Sequence, residues 1–158
     1  MRDEVVATLA EATDRVRAAG RLLGLENEHA CNVATGAESA WVLDRIPDRT
    51  LGLIWDPGNE AALGSVPFPD GYALVKDRIH HVHIKDAVAL GDGGFTTVGE
   101  GIIPYEAQLR ALATDGYDGV LSLETHYKLP DGGLEGATRA CAAALRDIAA
   151  RAGLPLDD

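Results

Sequence analysis

Four short, largely apolar runs, LLGLE, LGLIWD, IHHVH and GVLSLE, recur along this chain at helix-sized intervals. Each ends on a side chain able to bind a metal: Glu26, Asp56, His83 and Glu124. Apolar runs this short, set between helical stretches, read as buried strands of a parallel sheet. A ligand where each strand stops brings all four side chains to the C-terminal edge of that sheet. Enzymes of this architecture keep their active sites there.

The intervening segments carry helical signals. Val5, Leu9, Ala12, Val16 and Ala19 have helical spacing over residues 3–19, and Gly20 is placed as a C-cap. A second helix is expected from Thr35 or Gly36 to about Leu43. Asp56-Pro57-Gly58-Asn59 reads as a turn that stops the second strand. A helix near Tyr72–Lys76 leads to the third strand, residues 79–84. Residues 87–103 are polar and glycine-rich, a long loop over the strand ends. Pro104 opens a helix to about Thr114, Gly116–Gly119 turns into the last strand, and an alanine-rich helix covers 134–152. The pattern is α(βα)₄ in a single domain, 1–158, with no internal linker.

Alternation within the strands sorts the faces. Val120, Ser122 and Glu124 share one side, as do Leu22, Gly24 and Glu26, and Gly52, Ile54 and Asp56. Small and polar residues on one side and bulky apolar ones on the other suit a barrel lumen and a helix-packed exterior. His81, His83 and Lys85 point into the lumen in this reading, and His80 points to the helices. Polar groups aimed into a barrel cost several kcal/mol if unpaired, so a lumenal partner is expected.

Bulk properties exclude whole classes. A formal charge of −11 leaves no basic surface for nucleic acid or anionic lipid. No apolar stretch approaches the roughly 20 residues of a membrane span, and the acidic, amphipathic N-terminus is unlike a signal peptide. Cys31 and Cys141 are far apart without a CxxC pattern, so a reduced, cytoplasmic pair of thiols is expected. Buried structural cysteine is the commoner case, although Cys31 lies close after Glu26.

LENEHACNVATGAES, LIWDPGN, RIHHVHIKD, VGEGIIPY and GYDGVLSLETHY, in this order and spacing, resemble the xylose-isomerase-like TIM barrels. That family comprises sugar isomerases, sugar and keto-sugar epimerases, inosose dehydratases and endonuclease IV-type repair enzymes. Its members are α/β proteins, (β/α)₈ barrels of roughly 250 residues. The resemblance therefore implies a partial (βα)₄ half-barrel with parallel strands, the C-terminal half of such a barrel. It implies that Glu26, Asp56, His83 and Glu124 hold one divalent metal. Three carboxylates and an imidazole favour Mn²⁺, with Mg²⁺, Co²⁺ or Zn²⁺ as alternatives.

The resemblance further implies an isomerase or epimerase of sugars or keto-sugars, moving a proton beside a carbonyl through an enediolate. Glu26 and Glu124 would act as the base and acid. Asn59, His81 and Lys85 are the expected substrate contacts, with Lys85 pairing with Asp86 as the alternative; Glu100 is either a loop brace or a contact. The histidine that several branches carry three residues after the sixth-strand aspartate is Asn59 here. The D-x-H of the endonuclease branch is absent from residues 87–97, which sets the nuclease reading aside. A dehydratase of the same family, a non-catalytic truncated remnant and one half of a split enzyme are the alternatives. Four strands cannot close a barrel, so a homo-oligomer or a missing N-terminal half is the expected partner.

Overall fold

The computed structural model describes residues 2–91, 93–154 and 156. Four parallel strands form its main sheet: β1 (Leu23–Glu26), β2 (Leu51–Trp55), β3 (Ile79–Ile84) and, in sheet order after β3, β6 (Leu121–Leu123). The helices are α1 (Arg2–Ala18), α2 (Gly36–Arg45), α3 (Pro57–Ala62), α4 (Tyr72–Val75), α5 (Tyr105–Thr114) and α6 (Gly133–Ala152). A π-helical turn, Pro67–Gly71, precedes α4, and a 3-10 turn, Lys76–Arg78, follows it.

Alternate strand residues feed a single core. Leu51, Leu53 and Trp55 of β2 and Val82 and Ile84 of β3 are buried with Val42, Leu43, Tyr72, Leu109, Leu145 and Ile148 from the helices. Among the described residues the opposite face has no such cover. Leu22 is 70% exposed and Val120 63% exposed, and Ile54, His81, His83 and Ser122 are only half-buried. The result is an arc of sheet with helices outside and an open lumenal side.

Three expectations need correction. First, the residues after Asp56 form α3, where a turn was expected. Asp56 is the N-cap, accepting from the Asn59 amide at 3.0 Å, and Pro57 occupies the first helical position. That position tolerates proline because its amide has no intrahelical partner.

Second, residues 87–103 are not all loop. Asp86–Ala87 (β4) and Phe95–Thr96 (β5) pair antiparallel, and Asp92 between them lies outside the described residues. Third, His80 does not face the helices. Leu53 pairs with Ile79 and Ile54 with His81, so His80 is an extra residue in β3. A bulge of this kind breaks alternation and turns the His80 ring over Gly52. A Cβ built on Gly52 would meet that ring at 2.1 Å, so glycine is required there.

Candidate metal centre

Each ligand candidate stands where its strand ends. Glu26 closes β1, Asp56 follows β2, His83 is the fifth residue of β3, and Glu124 follows β6. One donor atom from each lies within 4.8 Å of the others. His83 Nδ1 is 3.0 Å from Glu26 Oε1 and 3.9 Å from both Asp56 Oδ2 and Glu124 Oε2. Four residues spread over about a hundred positions thus converge on one volume.

The neighbours fix these side chains. Asn27, fully buried, donates to the Asp56 carbonyl at 2.7 Å and accepts from the Asp56 amide at 2.8 Å, stapling the ends of β1 and β2. Asn59, also fully buried, donates to Glu26 Oε1 at 3.4 Å and to Glu28 Oε2 at 3.2 Å. Its own Oδ1 lies 2.8 Å from His29 Nδ1. His81 is one lumenal layer down, its Nε2 at 2.8 Å from Ser122 Oγ.

Lys85 is the only lysine or arginine ion-paired with the four ligands among the described residues. Its side chain is 1% exposed; Nζ is 3.1 Å from Asp56 Oδ2 and hydrogen-bonds Glu124 Oε2. The expected alternative, a bond to Asp86, is not what forms. Asp86 accepts instead from the amides of Gly99 at 2.8 Å, Gly101 at 3.1 Å and Ile103 at 3.2 Å. It braces the loop before α5, while Glu100 is exposed.

The electrostatics follow from burial. Loss of water pushes the Asp56 carboxyl up to about 7, although Lys85 and the Asn59 amide pull the other way. Burial raises Glu124 as well, but the Lys85 hydrogen bond and charge prevail and hold it below its ordinary value. Burial disfavours the Lys85 ammonium, and the facing carboxylates more than compensate, leaving its pKa raised.

Do these residues suit a cation? Three carboxylates carry more negative charge than one ammonium offsets. Asp56 Oδ2 is buried without a well-aligned hydrogen-bond donor. Lys85 Nζ stands 3.1 Å from that oxygen as an ion-pair partner, and a hard divalent cation would supply a further one. The donor set fits.

The mouth of the site is built by residues that sequence reasoning did not select. The Phe95 ring is edge-on to His29 at 6.2 Å and to His126 at 5.6 Å, and Lys85 Nζ is 5.2 Å from its centroid. His126 Nε2 is 3.6 Å from Glu124 Oε1. Both histidines stand in quoted motifs, NEH and ETH, three and two residues beyond a ligand. Phe95 carried no such signal, because a strand pairing brings it over the site. Asn59 and Lys85, the expected substrate contacts, are both buried, Asn59 bonded to Glu26 and Lys85 paired with Asp56 and Glu124. Cys31 is exposed and Cys141 buried, both as free thiols.

Residues 1–148 match the sequence profile described as xylose isomerase-like TIM barrel. An inosose dehydratase of Lacticaseibacillus casei is 25% identical over 143 residues, covering 77% of this chain and 47% of that protein. The chain spans about half the length of the curated relatives it matches. Among solved structures, a xylose isomerase-like TIM barrel protein from Mycobacterium smegmatis in complex with magnesium superposes with a TM-score of 0.75 at 23% identity. That match covers 96% of this chain and 51% of the other. The IOLI protein with a bound zinc atom gives 0.76 at 23% identity, covering 96% and 57%.

Proposed function

Because the chain belongs to the xylose isomerase-like TIM barrel family, we propose that it is the C-terminal, metal-holding half of an enzyme that moves a proton beside the carbonyl of a sugar or keto-sugar. The observation that carries this reading is the convergence of Glu26, Asp56, His83 and Glu124 within 4.8 Å at the sheet's C-terminal edge. These four would hold one divalent cation, Mn²⁺ by preference because three of the four donors are hard oxygens. Magnesium and zinc, bound by the two structural neighbours, are the nearest alternatives. When bound, such a cation supplies Lewis-acid polarisation of a substrate oxygen.

The protein's own groups do the rest. Glu26 and Glu124 come from the first and last strands of the arc and flank the space above His83. One takes the proton from the carbon beside the carbonyl and the other returns a proton, through an enediolate. Lys85 engages Glu124 Oε2, which leaves Oε1, on the His126 side, to handle the proton. Asn59 holds Glu26, Glu28 and His29 in place from beneath. Lys85 acts on substrate through the charge it sets beside the site.

A second reading has a specific basis. The curated relatives with a stated activity are inosose dehydratases, and a dehydratase shares the first step. It then expels the β-hydroxyl, which leaves with a proton as water. The deciding experiment is NMR in D₂O with Mn²⁺-loaded protein and a panel of ketoses and inososes. Deuterium entering the carbon beside the carbonyl is expected, with retained carbon framework and oxygen for an epimerase or isomerase and an alkene or its tautomer for a dehydratase. No exchange with any member would overturn both.

The cation is tested separately. Calorimetric titration should find one Mn²⁺ site per chain, weakened at least about tenfold in Asp56→Asn, since even substitutions behind metal ligands commonly cost that much. Unchanged affinity would remove Asp56 from the ligand set.

A further inference from the structure

We propose that His29 carries a proton to and from a substrate oxygen through its Nε2 atom. The inference rests on the proposed function and deepens it: Glu26 and Glu124 work at carbon, and His29 works at oxygen.

The loop that holds His29 is closed on itself. The Glu28 amide donates to the Val33 carbonyl at 3.0 Å, and the Cys31 amide donates to the Glu28 carbonyl at 2.8 Å. The Ala30 amide donates to Glu28 Oε1 at 3.2 Å. His29 Nδ1 stands 2.7 Å from that same oxygen and 2.8 Å from Asn59 Oδ1. The Asn59 amide nitrogen gives its hydrogens to Glu26 Oε1 and Glu28 Oε2, which fixes the amide oxygen toward His29. Both partners of Nδ1 are therefore oxygens that accept. Nδ1 has to carry the hydrogen, and the neutral ring keeps its lone pair on Nε2.

Nε2 has no hydrogen-bond partner among the described residues. A carboxylate behind one ring nitrogen steadies the imidazolium that forms when the other takes a proton. His29 is the only imidazole among the described residues whose carboxylate partner lies outside the candidate metal set. His83 and His126 face Glu26, Asp56 and Glu124 instead. The Phe95 ring braces the imidazole edge-on, with centroids 6.2 Å apart. Two hydrogen bonds through Asn59 join His29 to Glu26, which puts the ring on the Glu26 side of the site.

Proton transfer at carbon alone completes an epimerisation but not an isomerisation. When the C–H bond breaks, its electron pair becomes the C=C of the enediolate and the proton goes to a glutamate. For the neighbouring hydroxyl to become the new carbonyl, its O–H bond breaks and that proton goes to Nε2. The former carbonyl oxygen takes a proton from the imidazolium, and the C=C pair takes one from a glutamate at the other carbon. No proton is gained or lost overall, and no oxidant is needed. In a dehydration the same nitrogen, entering protonated, gives its hydrogen to the departing β-hydroxyl, which leaves with the C–O electron pair as water.

The test is the His29→Asn variant of the Mn²⁺-loaded protein. The asparagine amide keeps a donor for Asn59 Oδ1 and deletes Nε2. Deuterium entering the substrate carbon from solvent and net product are followed together by NMR. Net product should fall by about 10²–10⁴-fold, the ordinary share of a positioned acid–base group, while exchange stays near the parent rate. Equal losses in both would make His29 a brace acting through Asn59 and overturn the proposal, as would no loss in either. An epimer as the only product would overturn it too, since no oxygen proton then moves. In each of these cases exchange by the parent protein leaves the proposed function standing. Absence of exchange in the parent sinks that reading, and this inference with it. A second readout needs neither substrate nor variant. Nitrogen NMR of the Mg²⁺-loaded protein should place the hydrogen of neutral His29 on Nδ1, and a hydrogen on Nε2 would overturn the assignment whatever the activity.

Discussion

In metal-free buffer at pH 8, Lys85→Met is expected to lower unfolding stability by about 3–5 kcal/mol, the usual cost of removing one member of a buried ion pair. Asp56 is fully buried and Lys85 nearly so, and their separation of 3.1 Å supplies the main charge compensation Asp56 has. Methionine matches the stem of lysine, so the loss reports on charge more than on volume.

The pH dependence has a defined sign. Burial places the folded Asp56 carboxyl at about 7 against an unfolded value of 3.8. A carboxyl raised in the folded state contributes most below the unfolded value and loses stability as pH rises through the folded one. Removing the ammonium lifts the folded value further and extends that loss to higher pH. The difference between variant and parent should therefore be smaller at pH 5 than at pH 8. Mn²⁺ should raise the melting temperature of the variant more than that of the parent, because the cation replaces the lost charge. Urea unfolding at both pH values in the presence of chelator, then with metal, checks this. An equal loss at pH 5 and pH 8 would show that packing, rather than charge, is what Lys85 supplies.

The second large effect concerns chemistry. Glu124→Gln should slow solvent exchange at the substrate carbon by about 10²–10⁴-fold, the ordinary contribution of a positioned general base. Part of any loss would come from weaker metal binding, so occupancy is measured by calorimetry on the same samples and the rate compared at saturating Mn²⁺. Glutamine keeps the shape and one acceptor oxygen but cannot take the proton. Retention of rate at full occupancy would remove Glu124 from the proton path. With the lumen open on one side, these 158 residues alone should turn over well below the usual 1–10³ s⁻¹.

How much of this was legible in the residues depends on how local each signal is. The ends of α1, α2, α5 and α6 agree with sequence expectation to within about two residues, because caps and apolar spacing are written into neighbouring positions. Thr35 accepts from the Glu38 amide as a local N-cap, and Gly153 adopts the left-handed C-cap conformation. The α3 start was legible too: an aspartate followed by proline is a helix opening as much as a turn, and the turn reading lost because the helix that follows is short.

The sequence alone determined the four strands and the candidate ligand that ends each one. Strand identity depends on a run of apolar residues, and a side chain at the last position of a parallel strand has nowhere to go but the common edge. The tertiary structure decided everything that depends on a register or a long-range pair. One extra residue in β3 turned His80 to the lumen, since a bulge is defined by the partner strand and leaves no trace in the run itself. Lys85 reached Asp56 and Glu124 rather than Asp86, and Asn27 closed on Asp56 across 29 positions. Phe95 came over the site through its pairing beside β4. Burial, which sets the charge state of Asp56, belongs to the same class, because the depth of a side chain is a property of what packs around it.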